Sequence, residues 1–173
     1  MVKRSDSLHA ALLIMTLTHL HLVLNHVPVL GTAFGLGLLA FGISRRSTEL
    51  KKTALGIFVL AALMTVPVYL TGEPAEEGVE GLPGVSETII EQHEEAAGVA
   101  FASIGALGVI ALIGLLALRH GKAVPAWFSG LMLIASLTVS GLMAWTANLG
   151  GQIRHTEIRQ GAVTSTPVSK DRD

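Results

Sequence analysis

The sequence predicts an all-α protein, an integral membrane four-helix bundle of up-down-up-down topology, with an interfacial helix at its N-terminus. Three observations carry this. Half of the 173 residues are apolar and only 14% are charged, with a mean hydropathy of +0.59, whereas soluble domains carry about 25% charged residues. The apolar residues gather in four runs close to the roughly 20 residues that cross a bilayer. The connections between runs alternate in charge, basic, acidic, basic.

The first run, Val27 to Ile43, is short alone and reaches full length if its helix begins near His19 or His21. Residues 1–18 then form an interfacial or disordered segment, and Met15 is a candidate alternative start. A five-span chain, with 8–24 and 29–43 both crossing, is the alternative topology. Arg45, Arg46, Lys51 and Lys52 follow the first run. Thr53 to Leu70 is the second. The next connection, "TGEPAEEGVEGLPGVSETIIEQHEE", holds eight glutamates and no Lys or Arg. Ala96 to Leu118 is the third run, Arg119 and Lys122 follow it, and Val124 to Ala147 is the fourth. The four-span membrane domain covers 19–158, and 159–173 is a polar, disordered tail.

The basic connections belong in the cytoplasm by the positive-inside rule. That predicts the acidic connection and both termini on the outer side, which in a bacterial chain means an inner-membrane protein with periplasmic termini. Short connections make neighbouring helices antiparallel. Gly31-x3-Gly35 in the first span, and Gly98, Gly105, Gly108 and Gly114 in the third, allow close helix packing or leave room for a flat cofactor.

The chemistry gathers at one end. "HLHLVLNHVP" places His19, His21, Asn25 and His26 at the acidic end of the first span. Glu73, Glu76 and Glu77 follow the second, His93, Glu94 and Glu95 open the third, and Asn148, His155 and Glu157 follow the fourth. His120 alone lies among the basic connections. Imidazole is costly in lipid, so this asymmetry is the main functional signal. His19 and His26, seven apart, share a helix face, as do His21 and Asn25, four apart. If the helix runs through Pro28 it frees a carbonyl near residue 24 that Asn25 can satisfy. Otherwise Pro28 begins the helix and His26 lies outside it. Gly150 and Gly151 in "NLGGQIRH" break the fourth span, allowing a turn or a close approach to a ligand.

The blocks "HLHLVLNHVPVLG", "YLTGEPAEE", "PGVSETIIEQHEEAA" and "TANLGGQIRH" resemble, in order, a set of small bacterial four-helix membrane proteins of unassigned function. The resemblance covers residues 19 to 157, supplies no activity, and implies that the polar block at the acidic end defines the group.

Function therefore has to come from the residues. With no cysteine, thiolate metal sites, iron–sulfur clusters and covalently attached haem are excluded. One expectation is a redox protein holding haem b between His21 or His26 and His93 or His155, exchanging electrons with quinone or a periplasmic cytochrome. The second is a transition-metal site for Zn, Fe, Mn or Cu, built from His26, Glu77, His93, Glu94 and His155 with Asn25, Glu73, Asn148, Gly150 and Gly151 in support. The third is a cofactor-free subunit or assembly factor binding other membrane subunits through its glycine-rich faces. No nucleophile elbow or His-Glu-x-x-His motif indicates a hydrolase, and no basic surface patch indicates nucleic acid.

Overall fold

The structure, a computed structural model, describes residues 2–119 and 121–159. Its elements are α1 (Val2–Leu24), α2 (His26–Ser44), α3 (Thr48–Leu70), the single turn-and-a-half α4 (Gly72–Glu77), α5 (Glu87–Ala117), α6 (Ala126–Arg154) and a 3-10 turn at Thr156–Ile158. No strand occurs among the described residues. His120 and the tail beyond 159 lie outside them, so the expectations for both stand where the sequence left them.

Four segments are long and apolar enough to cross a membrane: Leu12–Ser44, Thr48–Leu70, Glu87–Ala117 and Ala126–Arg154. Helices α2, α3, α5 and α6 pack in a closed ring, each against its chain neighbour and α6 back against α2. This is the predicted four-helix bundle. The side chains facing outwards are apolar, among them Leu30, Phe34, Leu63, Ile113, Ile134 and Leu137. A bundle with an apolar exterior is matched to lipid rather than water, and the chain reads as a multi-pass membrane protein.

Lipid removes the hydrophobic drive for one helix to bind another, so close packing has to hold the bundle. Small residues supply it. A Cβ at Gly35 would lie 2.6 Å from the Phe58 ring, and Cβ atoms at Gly108 and Gly114 would collide with Ala62 and the Phe128 ring. Gly35, Gly108 and Gly114 admit neighbouring side chains, which is the close-packing use expected for them, whereas Gly98 and Gly105 have nothing within 4 Å of where a Cβ would stand. Leu39, Leu55, Phe58, Ile104 and Met132 are fully buried around these contacts. Inside the spans Thr32 and Thr65 return their hydroxyls to the carbonyls of Pro28 and Ala61, at 2.6 and 2.7 Å, which spares lipid an unsatisfied donor.

The N-terminal region differs from the expected helix start near His19. Helix α1 begins at Val2 and is interrupted only at Asn25, whose backbone stays in the right-handed helical region. Pro28 falls in the first turn of α2, where an amide hydrogen has no intrahelical acceptor to lose. Asn25 makes no side-chain capping bond. Helix α1 leans on α4 and on α3, and Thr18 donates to the Pro74 carbonyl at 3.2 Å.

The other difference is at the acidic end of α6. Gly150 and Gly151 do not break the helix, which runs on to Arg154. Arg159 stops it from outside, donating from its guanidinium to the carbonyls of Gln152 and Ile153 at 2.8 and 3.0 Å and to Gly84 in the acidic connection at 2.8 Å. The guanidinium thus satisfies terminal carbonyls that the helix leaves without partners.

Candidate functional site

Two half-buried imidazoles lie at the acidic end of the bundle. His21, in the last turns of α1, reaches the end of α3, where its Nδ1 lies 3.0 Å from the Val68 carbonyl and 3.3 Å from the Thr71 hydroxyl. His93, in the second turn of α5, reaches α6, where its Nδ1 lies 3.0 Å from the Thr146 carbonyl. Both rings are partly buried.

The partners fix the tautomers. A carbonyl oxygen only accepts, so Nδ1 of each ring carries the proton and donates. Nε2 is then the lone-pair nitrogen, and on neither ring does it have a protein partner among the described residues. A backbone-anchored Nδ1–H with a free Nε2 is the usual outer-shell arrangement of a metal-ligating histidine.

Glycine makes the second anchor possible. In a helix the carbonyl of residue 146 points toward residue 150, and a side chain there would cover it. A Cβ on Gly150 would stand 3.0 Å from His93 Cε1 and 3.3 Å from Nδ1. The glycine lets the imidazole lie against α6 and share the Thr146 carbonyl. The helical continuity of α6 thus replaces the predicted turn, and the close approach is to His93. His21 lies near a glycine too, since a Cβ on Gly72 would stand 4.0 Å from its Cε1, and Thr71 is held by the Pro67 and Val68 carbonyls.

The remaining candidates lie apart from this pair. His26 is exposed and donates from Nδ1 across the Asn25 interruption to the Leu22 carbonyl, at 3.1 Å. His155 is exposed beyond the end of α6 and pairs with Glu157 at 2.8 Å; the backbone N–H of Glu157 and then His155 hold that carboxyl below its usual range. Asn148 accepts from Gln152 at 2.6 Å, and Gly151 faces Ile158. Glu73 and Glu77 are exposed. Among the described residues no three His, Asp or Glu side chains are grouped so as to hold a metal ion.

Glu76 and Glu94 form a second contact at this end, joining α4 to α5. The hydrogen bond to Glu94, partial burial and the charges of Glu94, Glu80 and Glu73 push the Glu76 carboxyl up to about 7. Near neutrality Glu76 is therefore partly protonated and donates to Glu94.

Several residues of the site carried no sequence signal of their own. Val68 and Thr146 act through backbone carbonyls, which any residue possesses. The spacing of Gly150 four residues after Thr146 was a usable clue, because it uncovers that carbonyl. Comparison with protein-family models, curated proteins and solved structures gives no match.

Proposed function

We propose that this chain is an inner-membrane electron-transfer protein that holds a b-type haem near its periplasmic face through His21 and His93. One observation carries the reading: two half-buried imidazoles on different helices at the acidic end, each anchored at Nδ1 to a backbone carbonyl and free at Nε2 among the described residues. The donor set fits haem iron, which accepts two neutral imidazole nitrogens. It fits a His and carboxylate metal centre less well, since no third ligand joins the pair. A haem bound there supplies one-electron exchange. The chain's own part is to hold both rings in one tautomer and orient them from α3 and α6.

In this reading the basic connections face the cytoplasm, as Arg45, Arg46, Lys51 and Lys52 direct, and the redox site faces the periplasm and a soluble electron carrier such as a cytochrome. A second reading keeps the same bonds without a cofactor, because the bonds themselves tie α1 to α3 and α5 to α6. In that case the chain is a structural subunit of a membrane complex.

Haem retention separates the two. The wild type, purified in detergent from cells supplied with haem precursors, is expected to yield close to one haem per chain as its pyridine haemochrome. His21→Ala and His93→Ala are expected to lose it while inserting normally, and His26→Ala and His155→Ala to keep it. Haem-free wild type with a normal bundle would leave the structural reading standing, and elemental analysis of the same sample would expose a metal instead.

A further inference from the structure

The imidazole pair does not account for an open groove of about 360 Å³ between α5 and α6. Gln92, Glu95 and Val99 line it from α5, and Leu142, Trp145 and Thr146 from α6. On each helix these positions recur at three and four residues, so they form two facing stripes. Val99 and Trp145 are 56% and 61% exposed, which opens the groove sideways to whatever surrounds the helices. Helix α5 starts at the acidic end and α6 finishes there. The groove therefore grades from a polar mouth at Gln92 and Glu95 to an apolar floor at Val99 and Leu142.

That gradient lies where a bilayer's would. Trp145 and Trp127 are 18 residues apart on α6, about 27 Å along the axis, and both are exposed. Tryptophans so spaced match the two interfaces of a bilayer whose hydrocarbon is about 30 Å thick. The mouth of the groove is then at headgroup depth and its floor within the hydrocarbon.

We propose that the groove binds the ring of a membrane quinone. Its purpose rests on the redox reading above; the binding does not. The occupant must arrive from lipid with an apolar tail and a polar head. On the oxidised ring the Gln92 amide donates to a carbonyl, and on the reduced quinol the Glu95 carboxylate accepts from a hydroxyl; the same carboxylate repels the phosphate of an ordinary phospholipid. The Trp145 indole gives a flat ring a wall to stack on. Thr146 lines the groove and holds His93 on its carbonyl at 3.0 Å, so the ring would lie one residue from the imidazole.

Tryptophan fluorescence tests this without reference to haem. In Trp127→Phe, Trp145 is the sole tryptophan, and decyl-ubiquinone titrated into the detergent-solubilised protein is expected to quench it saturably. Ala96→Phe, which fills the groove, and Gln92→Leu, which removes the amide, are each expected to raise the half-saturation concentration about tenfold with helix content unchanged. Linear quenching that neither variant alters would overturn the proposal. So would equal saturable quenching by a phosphatidylcholine with brominated chains, which would make the groove a lipid site. Haem content measured on the same samples separates the two readings. Haem without saturable quenching refutes the groove alone, and quenching without haem refutes the redox reading alone.

Discussion

Gly150 decides how closely His93 can approach α6. Alanine is the better helix former by about 1 kcal/mol, so Gly150→Ala should not weaken α6 through its backbone. Its Cβ would nevertheless meet the His93 ring at 3.0 Å, closer than ordinary contact. The expected result is a bundle at least as helical as the wild type with the imidazole shifted off the Thr146 carbonyl. Gly150→Val is expected to exaggerate this and lower haem retention about tenfold. Circular dichroism and the pyridine haemochrome, read on the same preparation, check both halves. This residue also shows what the sequence disclosed at the atomic scale. Gly150 was legible as a place of close approach, because a missing Cβ permits little else. What would approach was not legible, because that depends on the phase of α5 about its axis. The same limit applies to the ligand pairs: His21, His26, His93 and His155 all stand at one end, and only packing selects which two are half-buried.

Among the elements, α4 is held in part by a contact between carboxyl groups, Glu76 to Glu94. Glu76 has a folded-state value of about 7, above the ordinary carboxyl range, chiefly because it donates to Glu94. A raised carboxyl pKa means that the folded form holds the proton more tightly than the unfolded one. The contact's contribution is therefore fully present below the ordinary value of about 4.5 and is lost as pH rises through 7, where Glu73, Glu80 and Glu94 repel the new charge. Amide hydrogen exchange over Gly72–Glu77, corrected for intrinsic rates, is expected to speed up between pH 6 and 8. Glu76→Gln, which keeps a donor without a charge, should remove that dependence. Arg159 ties the neighbouring connection differently. Arg159→Ala removes three hydrogen bonds to backbone carbonyls and should raise exchange at the end of α6 and around Gly84 at every pH. The sequence indicated the four spans because apolar length is a local property. It marked the Gly150–Gly151 pair as a break in α6, whereas paired glycines inside a packed helix fit without one, and it left open whether a helix runs through Pro28 or starts at it, which the structure decides by putting Pro28 in the first turn of α2.

The whole molecule is a bundle with one basic end and one acidic end, and its orientation is testable with unusual ease because the chain has no cysteine. Ser47→Cys at the basic end and Ser86→Cys at the acidic end each introduce a single thiol. In whole cells a membrane-impermeant maleimide is expected to label residue 86 directly and residue 47 only after the membrane is opened. The reverse pattern would turn the His21 and His93 end toward the cytoplasm. The architecture was legible as a whole because composition, run length and loop charge all pointed to it, and a bundle closed by short connections has few alternatives. The cofactor was not legible in that way, since histidines at a membrane interface serve packing and ligation equally well. The most direct measurement is the optical spectrum of the purified wild type, dithionite-reduced minus air-oxidised. The account predicts sharp α and Soret bands of a haem with two imidazole ligands, absent from His21→Ala and His93→Ala. A featureless difference spectrum from cells supplied with haem would contradict it and leave the two imidazoles as ties between helices.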